Sequence, residues 1–153
     1  MWVWKFLKEK KSFLFCNLIL FNHDSIYRKD FFLIPRLISM IRKNDFSSLK
    51  KIYKENIIRD FSHAEDICYA IYLLIKKKIC INSLILSSGK KTSVNKIINY
   101  LLVKHFNQKI IKTFVKSNNT YVLGNNNLAK KILGWKMKKN IFMAIDEMLY
   151  KIN

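Results

Sequence analysis

The chain has 153 residues, half of them apolar and a quarter charged, enough for one compact domain with a sizeable core and too few for two ordinary ones. That composition excludes collagen-like, disordered and disulfide-stapled classes. Its 29 Lys and Arg against 10 Asp and Glu give a formal charge of +19. Yet only Arg28, Arg36, Arg42 and Arg59 are arginines, and the lysines are spread over every segment. That is a pattern of AT-rich coding rather than of the clustered Arg forks that read nucleic acid, so no nucleic-acid partner is expected.

Lys5, Lys8, Lys10 and Lys11 precede the apolar run 13–21, which imitates a secretory signal, but Asn17 interrupts the run and no small-residue cleavage site follows. The run is also shorter than the ~20 residues a helix needs to cross a bilayer, and no other segment reaches that length, so no membrane partner is expected. Its nearly continuous apolar character predicts instead a strand covered on both faces of a parallel sheet, ending at Asn22. Residues 32–41 predict a helix with Pro35 in the first turn, and 43–54 a lysine-rich connection. A short strand follows at 57–61. Ile67, Ala70, Ile71, Leu74 and Ile75 then mark an amphipathic helix, whose C-terminal end suits Lys76, Lys77 and Lys78. A second apolar strand, 83–88, closes at Gly89, and Thr92 or Ser93 caps a helix that runs to about His105. A third strand is expected at 110–115, a short helix at 128–133 stopped by Gly134, and a terminal helix carrying Ile141, Ile145, Met148, Leu149 and Ile152. This alternation of strand and helix argues for the α/β class. Cys16, Cys68 and Cys80 are odd in number and lack metal-ligand spacing, which points to a reducing cytoplasm and to no metal site.

Four pieces carry more than their elements. Asn17-Leu-Ile-Leu-Phe-Asn-His-Asp-Ser25 and Arg59-Asp-Phe-Ser-His-Ala-Glu-Asp66 come first; Leu86-Ser-Ser-Gly89 leads into Thr92-Ser-Val94, and Leu123-Gly124 precedes Leu128-Ala-Lys-Lys-Ile-Leu-Gly-Trp-Lys136. Their order and spacing resemble the extended short-chain dehydrogenases that act on nucleotide sugars, and among these the GDP-mannose 4,6-dehydratases, from about Cys16 to the C-terminus. The resemblance implies the C-terminal portion of a Rossmann-like α/β fold with its small substrate-binding lobe. It assigns 1–31 to the last part of the nucleotide-binding sheet and 32–153 mainly to the lobe, as one partial domain. It also implies an NADP-dependent lyase that oxidises a GDP-sugar at C4, eliminates water across C5 and C6, and returns the hydride to C6.

By the same resemblance Asn22 contacts the substrate phosphate, His23 and Arg28 bind NADP, and Arg59 grips the nucleotide diphosphate. The residue-level alternatives are a satisfied turn histidine for His23 and a surface Arg59 paired with Asp60 or Glu65. His63 and Asp66 open a helix and hold the preceding loop. Where the family usually carries Arg-Pro-x-Glu, this chain reads Val115-Lys-Ser-Asn-Asn-Thr120, so Lys116 replaces the charge without the bidentate fork. Two further family features are missing. The only glycines are 89, 124 and 134, so no glycine-rich phosphate turn exists. The catalytic Tyr-x-x-x-Lys pair belongs upstream of Asn22 and would fall just before Met1, leaving residues 2–10 as the tail of its helix. The literal matches Tyr72…Lys76 and Tyr100…Lys104 sit on helices the family uses for packing. The expectation is therefore no catalytic residue in this chain and no turnover alone: either the frame is truncated or decayed, or a complementary N-terminal half or further copies assemble with it. Two alternatives stand beside it: part of another nucleotide-sugar epimerase, dehydratase or reductase, and a non-catalytic basic protein that binds polyanions.

Overall fold

The computed structural model describes residues 16–109, 111 and 121–151. Strand β1 (Asn17–Leu20) runs almost without a break into β2 (Asn22–Asp24). Helices α1 (Leu33–Arg42) and α2 (Phe46–Lys54) lead to β3 (Ile58–His63) and α3 (Ala64–Lys76). Strands β4 (Ser83–Leu86) and β5 (Lys91–Ser93) precede α4 (Val94–Tyr100), which widens into a π turn at Leu101–His105. Helices α5 (Asn127–Leu133) and α6 (Ile141–Lys151) end the order. The α/β class is borne out; the strand expected at 110–115 lies, apart from Ile111, outside the described residues.

The strands form two small sheets. β1 pairs with β4 in parallel, Asn17 beside Ser83 through Leu20 beside Leu86, and the Phe21 N–H extends the ladder to the Leu86 carbonyl at 3.1 Å. At Asn22 the chain changes partner. β2 pairs in parallel with β3, Asn22 beside Phe61 and Asp24 beside His63. β3 in turn pairs antiparallel with β5, Arg59 beside Thr92. One extended run thus serves both sheets in succession. β1 does not have both faces covered, as its apolar sequence suggested: Ile19 and Leu20 are 44% and 42% exposed.

Each sheet has its own core. One gathers Ile67 and Ala70 of α3, Leu84 and Leu86 of β4, Ala129 and Leu133 of α5, and Trp135. The other packs α1, α2, α4 and α6 around Phe61 of β3, with Leu37, Leu49, Ile97 and Ile145 buried between them. The expected connection at 43–54 is a correction, because most of it is helix α2. Asp45 caps it by accepting the Ser48 N–H, and Leu49 and Tyr53, one turn apart, bury its inner face, so its lysines mark only the solvent side. Ser93, rather than Thr92, caps α4 by accepting the Lys96 N–H. Gly134 ends α5 at φ +65°, where a left-handed residue is needed. Among the described residues no helix is long and apolar enough to cross a membrane.

Candidate functional site

The change of partner at Asn22 brings the ends of β1 and β4 against β3 and the 121–126 segment, and Asp60 fastens the junction. Its side chain is fully buried. One carboxylate oxygen accepts the Ser88 N–H at 2.8 Å and the Ser88 O–H at 2.5 Å; the other accepts the N–H groups of Gly89 at 2.9 Å and Gly124 at 3.2 Å. A carboxylate taken out of water needs such donors, and here backbone groups supply three of them in place of a cation. The Asn22 amide donates to the Asp60 carbonyl at 3.2 Å, and the buried Asn126 amide donates to the Ser87 carbonyl at 2.8 Å. Gly124 is required by closeness: a Cβ there would lie 2.3 Å from the Ser87 side chain. In the sequence Asp60 appeared only as a candidate ion partner of Arg59. It is instead the centre of the junction, which no local sequence pattern signals.

Of the predicted binding residues, Asn22, His23 and Arg59 adjoin this junction on β2 and β3, while Arg28 lies further along against Asp24 and Phe32. His23 is half-buried on β2, with Nδ1 2.8 Å from the Phe21 carbonyl, a contact that requires the proton on Nδ1. The Arg28 Nε lies 3.1 Å from the Asp24 carboxylate, and its guanidinium stacks 3.6 Å above the Phe32 ring. Burial pushes the Asp24 carboxyl up to about 6, although Arg28 and then His23 pull it down. Arg28 also borders a cavity of about 150 Å³ with Asp30, Pro35 and Arg42. Arg59 is exposed and donates to the Ile58 carbonyl at 2.8 Å. It pairs with neither of its candidate acids, since Asp60 is occupied as described and Glu65 pairs with Lys139. The β2–β3–β5 register sets Asn22 and Arg59 on one face of that sheet, two positions apart along β3. Lys116 lies outside the described residues.

His63 and Asp66 hold structure, as the sequence suggested, but at longer range than a helix start. The His63 Nδ1 accepts the Glu65 N–H, and Nε2 donates to Glu147 of α6 at 3.0 Å. The Lys139 ammonium, 2.9 Å from Glu147, and then His63 hold that carboxyl below its ordinary range against the opposing effect of burial. The Asp66 carboxylate accepts the N–H groups of Lys138 and Lys139, and its carbonyl accepts the Trp135 indole N–H at 3.0 Å. The Arg-Asp-Phe element and the Leu-Gly-Trp element are therefore two sides of one joint.

Of the two Tyr-x-x-x-Lys matches, Tyr72 and Lys76 make an exposed cation–ring pair at 5.7 Å. Tyr100 and Lys104 are in direct contact. The Lys104 ammonium donates to the Tyr100 oxygen at 2.6 Å and to Asp146 at 2.8 Å; the Tyr100 hydroxyl donates to Asp146 at 2.7 Å, and His105 lies 2.8 Å from the same carboxylate. A lysine beside a tyrosine ordinarily favours the phenolate. Here burial first, and Asp146 with it, outweigh Lys104 and push the Tyr100 phenol up. The phenol is held protonated, and the cluster clasps the π turn to α6. Among the described residues no group of His, Cys, Asp and Glu is arranged to hold a metal.

Comparison with known proteins completes the site. A family model described as GDP-mannose 4,6 dehydratase matches residues 1–148. The chain is 25% identical to the GDP-mannose 4,6 dehydratase of Dictyostelium discoideum over 98% of its own length and 49% of the relative's. It therefore spans about half of that relative. Among solved structures, RMD of Pseudomonas aeruginosa complexed with NADPH shares the fold at TM-score 0.72 and 20% identity, covering 97% of this chain and 50% of that one. UDP-glucose 4-epimerase of Thermotoga maritima with UDP-glucose does so at TM-score 0.74 and 13% identity, covering 99% and 50%. The fold is that of the Rossmann-like dehydratases and epimerases, as the motif order implied.

Proposed function

The chain belongs to the GDP-mannose 4,6 dehydratase family, and from that membership we propose that it supplies the substrate-binding side of a GDP-sugar dehydratase working with a nicotinamide cofactor. One observation carries the reading. Asn22, His23 and Arg28 leave β1 and β2 on the same short stretch, and the sheet register sets Arg59 beside them on the face of Asn22. Asn22 and Arg59 then address the nucleotide diphosphate. Arg28 fits an anionic cofactor: its Nε lies beside Asp24 without a hydrogen bond to it and its Cζ lies over the Phe32 ring, which leaves guanidinium donors for a phosphate. His23, held through Nδ1, presents Nε2. We favour NADP for the sake of that arginine. When bound, the nicotinamide accepts a hydride from the sugar and returns it; the residues here bind and orient.

Turnover, in this reading, depends on groups this sequence does not carry, the glycine-rich turn and a Tyr-x-x-x-Lys pair upstream of Asn22. We assign them to a complementary N-terminal half; further copies of this chain share its sequence and could add contacts but not these groups. The exposed Ile19 and Leu20 of β1 support a docked neighbour on that sheet. The odd number of cysteines, with Cys16 and Cys68 in no disulfide, supports a cytoplasmic setting.

Equilibrium binding at matched ionic strength tests the proposal. GDP-mannose is expected to bind more tightly than UDP-glucose, and Arg59→Gln to weaken it about tenfold. Equal affinity for both nucleotides overturns the GDP-sugar assignment in favour of another member of the superfamily, and an unaffected Arg59→Gln variant overturns the site.

A further inference from the structure

Helix α3 is apolar on the side that faces the core and on the side that faces water. Ile67 and Ala70 bury its inner side in the core shared with Leu84, Leu86 and Trp135. Yet none of the residues from Ile67 to Ile75 is charged, in a chain of which a quarter is charged. A helix that is hydrophobic all round ordinarily has something packed on both sides. On the outer side Tyr69 is exposed, Tyr72 and Ile75 are 52% and 66% exposed, and Cys68 is exposed next to them. Ile75, which the helical spacing grouped with the buried set, therefore belongs to this outer surface.

The outer side is also complementary to itself. Glu65, Tyr69, Tyr72 and Lys76 fall at i, i+4, i+7 and i+11, one line along a helix of 3.6 residues per turn, centred between residues 70 and 71. Turned end for end about that centre, position 65 falls on 76 and position 69 on 72. Two copies packed antiparallel through α3 thus set Tyr69 of each beside Tyr72 of the other, and Glu65 of each beside Lys76 of the other. Cys68 and Ile75 share one flank of the line, where Ile75 of each copy comes opposite Cys68 of the other. The Glu65 side chain is 66% exposed beside Lys139, and Lys76 is exposed with its ammonium 5.7 Å from the Tyr72 ring centre, so both ends of the line are open to a second copy. Antiparallel packing also sets the positive end of each helix dipole beside the negative end of the other.

We propose that the outer side of α3 is an interface between two copies of this chain, an isologous contact about a two-fold axis. A base-stacking platform for single-stranded nucleic acid fits less well. The Tyr69 and Tyr72 rings are stacked on each other at 6.1 Å, and their faces are turned to the ammonium groups of Lys138 and Lys76. The contact lies on the side of α3 away from the core that α3 shares with β1 and β4, so it leaves β1 to a different neighbour and requires neither the sugar nor the nicotinamide. One helix pair is a small interface, near or below the roughly 1,200 Å² at which stable ones begin. The formal charge of +19 on each copy opposes it as well. A dissociation constant of about 10–100 μM is expected at about 0.15 M salt, where exposed charges more than about 8 Å apart are largely screened.

Sedimentation velocity of the full chain in that salt, from about 1 to 300 μM, reads the monomer–dimer equilibrium. Glu65→Lys and Lys76→Glu are each expected to weaken self-association about tenfold, since each sets like charges opposite one another at both ends of the line. An equimolar mixture of the two variants should dimerise about as well as the unaltered chain, because every charge then meets its complement. Circular dichroism melts confirm that both variants fold. Glu65→Lys loses its contact with Lys139, a loss that mixing leaves in place, so rescue of association by mixing is not a rescue of folding. A chain that stays monomeric over the whole range, a dimer indifferent to both reversals, or a mixture that associates no better than its components overturns the proposal. GDP-mannose affinity is expected to be the same in both variants, so the fate of the α3 contact and that of the sugar-nucleotide reading are told apart.

Discussion

Asp24 is a buried carboxyl whose neighbours do not fully compensate it. Its folded pKa of about 6 lies above the ordinary 3.8. The folded state therefore holds the proton more tightly than the unfolded state does; the stabilisation is complete below pH about 4 and is lost as the pH rises through about 6. Asp24→Asn does not titrate. Between pH 4 and pH 7.5 its stability is expected to improve relative to the unaltered chain by about 1–3 kcal/mol, measured by urea unfolding at each pH. A difference that does not change with pH counts against the assignment. Gly124 is the other sharply constrained residue. Gly124→Ala sets its methyl against Ser87 and the Phe21 ring and should cost about 1–3 kcal/mol. Adding Ser87→Gly removes the nearer obstacle, so the double variant should recover part of that loss, an interaction that a double-mutant cycle reads directly. At this scale the sequence was legible where a residue acts on its own neighbours, as His63 and Ser93 do in capping helices. It was silent where partners come from afar. Nothing near Asp60 announces Gly124, and nothing near Asp66 announces Lys138.

Elements read well where one face is buried along a helix. The spacing of Ile67, Ala70 and Ile71 gave α3, and the apolar positions after Asn140 gave α6. The segment 43–54 misled because its lysines outnumber the two residues, Leu49 and Tyr53, that decide its fold. β1 misled for the opposite reason: an apolar strand looks the same whether both faces are covered or one awaits a neighbour. The helix expected to run to about His105 does reach it, but its last turn is the wider π form, clasped to α6 by Tyr100, Lys104, His105 and Asp146. Tyr100→Phe deletes the hydroxyl at the centre of that clasp. A loss of about 1 kcal/mol in stability is expected, with nucleotide binding unchanged. Intact stability together with lost binding in this variant would mean that the cluster serves the site rather than the packing.

Over the whole molecule, the alternation of strands and helices was readable but the pairing of the strands was not. β3 lies between β2 and β5, while β1 takes β4. Local patterns specify that a strand exists and which residues are apolar; they do not say which strand it meets, because that is settled by the packing of two cores at once. The motif resemblance supplied what periodicity lacked, and the joint between Asp66 and Trp135 gives the physical reason that its separate pieces travel together. The Asp60 junction has a counterpart in time. Its carboxylate bonds to groups 28, 29 and 64 positions further along the chain. Each contact closes a long loop, and such closures become favourable only after β3, the turn beyond β4 and the segment around Gly124 have already been brought together. The junction is thus expected to form late in folding, after the transition state. Asp60→Asn is expected to leave the refolding rate nearly unchanged and to speed unfolding about tenfold in stopped-flow measurements, so that this one carboxylate governs how long the folded molecule lasts rather than how quickly it forms.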